Sequence, residues 1–94
     1  MPVQRGEVDM KLTLAKAKEI MELNDGNLDL SYSDVTSLPD GLKVQGYLDL
    51  SGTRIEKLPE NLVVGDWLDI SETNITSLPN NLSVGLDIIL TMKI

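Results

Sequence analysis

The sequence predicts an α/β fold: a short solenoid of stacked coils with a parallel β-sheet on one face and an N-terminal capping α-helix. Three observations predict it. The phrase LDLS or LDIS begins at Leu28, Leu48 and Leu68, so one unit recurs every twenty residues. The units LDLSYSDVTSLPDGLKVQGY (28–47), LDLSGTRIEKLPENLVVGDW (48–67) and LDISETNITSLPNNLSVGLD (68–87) align without a gap. Ahead of them, TLAKAKEIMELNDG (13–26) carries apolar residues at helical spacing.

The core follows from the columns of this alignment. Positions 28/48/68/88, 30/50/70/90, 35/55/75, 38/58/78, 42/62/82 and 44/64/84 are Leu, Ile or Val throughout. Twenty residues cannot bury that many apolar side chains alone, but stacking like units turns each column into a continuous row of contacts. The L-x-L segments have strand periodicity, and like segments of successive coils are expected to pair in parallel. Pro39, Pro59 and Pro79 lack the N–H that a sheet ladder needs, which puts the L-P stretch on a non-strand side of each coil. Asp40-Gly41, Glu60-Asn61 and Asn80-Asn81 supply turn chemistry after each proline, and a compact return leads to the next strand. Ser33, Thr53 and Thr73 form a hydroxyl row at the bend, where side-chain oxygens can satisfy buried backbone groups.

The closing IILTMKI keeps the same register. Ile88, Leu90 and Thr91 fall where Leu68, Ile70 and Ser71 fall, which places Asp87 in the column of Tyr47 and Trp67, and Ile89 in the column of the aspartates. The LDI at 86–88 offers a rival alignment two residues shorter; the uninterrupted period is preferred. In the N-terminal helix, Leu14, Ala17, Ile20 and Met21 make one apolar face, Thr13 is the expected N-cap and Gly26 the expected stop. A solenoid exposes the core of its first coil unless something covers it, so this helix is read as the cap. Residues 1–11 carry no strong pattern. The whole chain, 1–94, reads as one domain: an N-terminal segment with the helix (1–27), then three full repeats and a final strand (28–91).

The pattern L-x-L-x-x-T-x-I-x-x-L-P-x-x-L-x-V resembles the leucine-rich repeat family, and in particular the short, L-P-containing repeats of bacterial and bacteriophage proteins. The resemblance covers residues 28–91. It departs at 33, 53 and 73, where a hydroxyl stands in place of the asparagine that many such repeats carry. The resemblance implies a curved solenoid that binds a partner, and it implies no catalysis.

Composition narrows the chemistry further. The 94 residues include no cysteine and no histidine, which removes disulfide frameworks, Cys/His zinc sites, thiol nucleophiles and imidazole acid–base groups. A formal charge of −7 argues against direct DNA or RNA binding and for a cationic partner or plain solubility. The start, MPVQRGEVDMK, has no apolar run of secretory length, and no stretch is long and apolar enough to span a bilayer, so no membrane association is expected. The chain reads as soluble and cytoplasmic, in the host cytoplasm if phage-encoded.

If 28 and 30 point inward, then 27, 29 and 31 point outward. The aspartates Asp29, Asp49 and Asp69 then stack as a negative row, with Asp34, Asp66, Glu72 and Asp87 nearby, and Tyr47 and Trp67 stand beside them. Strands lie about 4.8 Å apart in a sheet, where like charges repel by about 1 kcal/mol in water. One reading gives each aspartate a local task, accepting hydrogen bonds from the neighbouring serine or backbone. The other makes the row an acidic strip for a basic partner, with Tyr47 and Trp67 as interface anchors or as sheet-stabilising neighbours. A paired-carboxylate hydrolase needs two acids in different environments across a cleft, whereas these repeat in near-identical ones. No D-x-[DN]-x-[DN]-G loop is present for calcium. No catalytic residue, metal or cofactor is therefore assigned.

The expectation is a non-enzymatic inhibitor that occupies the basic groove of a nucleic-acid-binding protein by imitating phosphates. Small, acidic, single-domain proteins of this kind resemble phage counter-defence proteins such as anti-CRISPR proteins. The alternative is a generic protein-interaction module, or a fragment of a larger effector, that binds through Tyr47 and Trp67. The final strand has an uncovered edge, so the chain is expected to be a monomer or to self-associate weakly there.

Overall fold

The structure, a computed structural model, describes residues 10–90. Strand β1 (Met10–Lys11) leads into helix α1 (Leu14–Glu22), and short strands follow at β2 (Leu28–Asp29), β3 (Val35–Ser37), β4 (Lys43–Val44), β5 (Leu48–Asp49), β6 (Val63–Val64), β7 (Leu68–Asp69), β8 (Ser83–Val84) and β9 (Ile88–Ile89). They form a small α/β fold with parallel pairing throughout: a four-stranded sheet β2-β5-β7-β9, a three-stranded sheet β4-β6-β8 and a two-stranded pair β1-β3.

Register follows the twenty-residue period. Leu28 pairs with Leu48, Leu48 with Leu68 and Leu68 with Ile88. The uninterrupted alignment is therefore the one adopted, and the shorter alignment through LDI at 86–88 is not. The second sheet, where Val44 pairs with Val64 and Val64 with Val84, was not anticipated as a ladder. Its cause is legible locally. Gly41 and Asn61 turn the chain with positive φ (79° and 63°), and Leu42-Lys43-Val44 then alternates buried, exposed, buried, which is strand periodicity.

Close approach in this second sheet depends on glycine. The Gly65 and Gly85 N–H groups donate to the Val44 and Val64 carbonyls at 2.8 Å. A Cβ at Gly65 would fall far inside contact with the Gln45 carbonyl oxygen, and one at Gly85 inside contact with that of Gly65. Only a residue without a Cβ lets these backbones meet.

The core is one cluster built from the columns. Leu28, Leu48, Leu68, Leu50, Ile55, Leu62, Val35, Leu42, Val44 and Val64 are almost completely buried. Thr53 is the lone buried polar residue among the described ones. Burial weakens along the stack: Ile75, Leu82 and Val84 are half-buried, while Leu78, Ile88 and Leu90 are exposed. A column residue is covered when a neighbouring repeat packs on both sides, and the last repeat has one only among the described residues.

At the other end α1 supplies the missing neighbour. Thr13 caps it, its Oγ1 accepting from the Lys16 N–H at 3.2 Å. Ala17 is fully buried, and Ile20 and Met21 pack on the core. The expected helix is corrected at two points. It ends at Glu22 rather than running to Gly26, because Asn24-Asp25-Gly26 forms a turn in which Asp25 and Gly26 take φ of 57° and 86° and the Gly26 N–H bonds the Met21 carbonyl at 2.8 Å. Leu14, assigned to the apolar face, is exposed; buried Leu12, one residue before the N-cap, fills the core instead. In the segment that lacked a pattern, Met10–Lys11 pairs with β3, and residues 1–9 lie outside the described ones.

Candidate functional site: the carboxylate row and the aromatic pair

The four-stranded sheet carries the candidate site, and register is what assembles it. Asp29 pairs with Asp49 and Asp49 with Asp69, so the three carboxylates project one per strand from neighbouring strands. The row stops at Ile89, the partner of Asp69. Asp29 is exposed, and Asp49 and Asp69 are half-buried.

Each aspartate also does local work. Asp29 Oδ1 accepts from the Ser31 N–H at 3.1 Å and the Ser31 hydroxyl at 2.7 Å; Asp49 Oδ1 accepts from the Ser51 N–H at 3.0 Å and its hydroxyl at 2.7 Å; Asp69 Oδ1 accepts from the Ser71 N–H at 2.9 Å. Short bonds to an ionised acceptor are among the stronger hydrogen bonds, and a carboxylate bonding the N–H two residues on turns the chain out of the strand. This bend helps explain why each ladder is so short. Oδ1 accepts in all three.

The hydroxyl row closes the same bend from the inside. Ser33, Thr53 and Thr73 donate to the Leu30, Leu50 and Ile70 carbonyls at 2.7, 2.8 and 2.8 Å. Ser33 and Thr73 also accept from the Val35 and Ile75 N–H groups at 3.4 Å. The bend is thus held by an outward carboxylate and an inward hydroxyl, which fixes the direction of the next outward residue.

Tyr47 and Trp67 stack, with ring centroids 4.3 Å apart and planes within 3° of parallel. Both are half-buried. Asn27, at the head of their column, accepts the Tyr47 N–H on Oδ1 at 2.9 Å. Gly46 makes room for that amide, since a Cβ there would collide with it. The stack therefore stands on a built base two residues before the carboxylate row.

The remaining predicted residues are placed unequally. Asp87 follows Trp67 in the same column, because Leu68 pairs with Ile88, and it is exposed. Asp66 immediately precedes Trp67, its N–H bonded to the Gly46 carbonyl at 3.0 Å, and is exposed. Glu72 is exposed on the turn just after Ser71, in a left-handed conformation with φ of 56°. Asp34 lies beyond the bend, in the column of Arg54 and Asn74, and so does not share the strand face of the row.

Sequence reasoning left Tyr32 without a role. It is 72% exposed, adopts φ of 57°, and its ring covers Gly52. The signal was its column: positions 32, 52 and 72 all take positive φ, and glycine at 52 marks the requirement. Its place directly after Ser31 sets a third aromatic near the Asp29 end of the row.

Among the described residues no group of three or more Asp and Glu is arranged to hold a metal ion, and no helix is long and apolar enough to cross a membrane. Comparison of the chain with protein-family models, with curated proteins and with solved structures finds no match.

Proposed function

We propose that the chain is a short leucine-rich-repeat solenoid acting as a non-enzymatic inhibitor, one that occupies the basic nucleic-acid-binding surface of a target protein. The observation that carries this reading is the juxtaposition on one sheet face. Carboxylates recur at strand spacing, about 4.8 Å, beside a pair of flat, parallel, stacked rings. A groove built for nucleic acid meets regularly spaced negative charge next to stacked planar rings, and this face offers both. The chain's charge of −7 adds long-range attraction to a cationic target. A phage counter-defence role of the anti-CRISPR kind, in the host cytoplasm, fits this chemistry. Cofactor and metal have no part in it.

A second reading rests on the stack alone. Tyr and Trp dominate many interfaces, and Tyr47-Trp67 could anchor a generic protein partner without help from the charges.

One experiment separates the two: capture of nucleic-acid-binding host proteins by the parent chain, by the triple variant Asp29→Asn/Asp49→Asn/Asp69→Asn and by Trp67→Ala, each across a salt series. The mimic requires binding that weakens steeply with salt and is lost in the triple variant. Binding that ignores salt and survives the triple variant, but fails in Trp67→Ala, transfers the function to the aromatic pair.

A further inference from the structure

The C-terminal end of the stack is chemically unlike the rest of the surface. Leu78, Leu86, Ile88, Ile89 and Leu90 are exposed there, with Leu86 at 64% and Leu90 at 55%. Residues 73–86 contain no Asp, Glu, Lys or Arg in a chain that is 24% charged. Among the described residues the backbone at this end lacks strand partners as well. The Leu28, Leu48 and Leu68 N–H groups donate to the Tyr47, Trp67 and Asp87 carbonyls of the following strand. The Ile88 N–H holds the equivalent position in β9, and among the described residues no strand follows to accept from it. In the second sheet the Leu62 and Val64 carbonyls accept from the Ser83 and Gly85 N–H groups, which leaves the Leu82 and Val84 carbonyls facing outward in the same way.

We infer that this end is the interface of a closed, two-fold homodimer in which β9 pairs antiparallel with β9 of a second copy. Three observations select that occupant. The opposite end of the stack is covered by α1, with Ala17 buried beneath it, so a second copy cannot add head-to-tail and the end pairs with its own like. Asp87 is the one charged residue between 73 and 90, so two strongly acidic chains meet there across little like charge. The exposed donors and acceptors lie on strand edges, and an antiparallel copy presents the same groups in reverse order, which satisfies both. The dimer leaves the Asp29 end of the carboxylate row free, and places the two rows end to end with Ile89 at the join.

The chain has no cysteine, which makes single-cysteine probes clean. Sedimentation of the parent over a dilution series is expected to show a monomer–dimer equilibrium that stops at the dimer. Ile89→Cys is expected to form a disulfide-linked dimer under mild oxidation, while Lys16→Cys on α1 is not. Leu86→Asp/Leu90→Asp, at positions exposed in the single chain, is expected to raise the dissociation constant about tenfold or more while keeping the parent's circular dichroism. A parent that stays monomeric at its highest soluble concentration overturns the inference. So do growth past the dimer, equal cross-linking of the two cysteine probes, or a Leu86→Asp/Leu90→Asp chain that remains folded and dimeric.

Discussion

Tyr47 and Trp67 stack across adjacent strands with centroids 4.3 Å apart, and the amide of Tyr47 is held by Asn27 Oδ1 at 2.9 Å. Stacked pairs contribute about 0.5–1.5 kcal/mol beyond the area they bury. Tyr47→Ala is therefore expected to lower unfolding free energy by more than a bare loss of half-buried area, and Tyr47→Phe by little. Urea denaturation followed by the fluorescence of Trp67, the chain's single tryptophan, measures both. Equal stability of Tyr47→Ala and the parent would show that the rings meet without stabilising the sheet.

Gly65 and Gly41 separate two reasons for glycine. At Gly65 a Cβ would be driven into the Gln45 backbone, which cannot rotate away, whereas at Gly41 nothing lies within 4 Å and only the φ of 79° resists substitution. Gly65→Ala is expected to destabilise by about 3 kcal/mol, at the upper end of overpacking penalties. Gly41→Ala should lose about 1–2 kcal/mol, the left-handed backbone penalty. Thermal or chemical melts of the two variants should keep that order; the reverse order would mean that the coils in the second sheet have room to separate.

How far the sequence carried is clearest from particular residues. The columns placed Leu28, Leu48, Leu68 and Ile88 in register and set Asp29, Asp49 and Asp69 on one face, because a fixed period constrains every coil at once. The same columns counted Leu42 and Val44 as core yet did not read them as strand, since two residues of alternation are too few to separate a strand from a buried return. Gly65 and Gly85 went unread because their reason lies in the coil above, not in their own neighbours. The helix was drawn too long because the Gly26 stop acts through a turn that begins at Asn24. In the site, the aromatic stack and the carboxylate row were legible from register alone; the Asn27 clamp on Tyr47 and the exposed Tyr32 were not, because each depends on side-chain geometry.

Glu72 sits where its column wants glycine. Tyr32, Gly52 and Glu72 take φ of 57°, 73° and 56°, and only Gly52 does so without steric penalty. Relief of that penalty is about 1–2 kcal/mol, partly offset by about 0.4–1 kcal/mol for the greater freedom of glycine in the unfolded chain. Glu72→Gly is thus expected to raise stability slightly. A lower melting temperature in Glu72→Gly would mean that Glu72 makes a stabilising contact stronger than its strain.

Thr53 tests the hydroxyl row where it is most demanding. Thr53 is 3% exposed and its Oγ1 donates to the Leu50 carbonyl at 2.8 Å. Thr53→Val keeps the shape and removes the donor, leaving that carbonyl without its side-chain partner at a buried bend. The Thr53 N–H still reaches that carbonyl at 3.2 Å, so Thr53→Val should destabilise by one net hydrogen bond, about 0.5–1.5 kcal/mol. Thr53→Ser keeps the bond and loses one methyl, a change of about 1 kcal/mol. Ser33→Ala, in a more open coil, should fall below Thr53→Val in effect. The ranking is read from urea midpoints at constant slope. If Thr53→Val left stability unchanged, the bend would be held by its outward carboxylates, Asp29, Asp49 and Asp69, and the recurrence of aspartate would then be explained by folding before any partner is invoked.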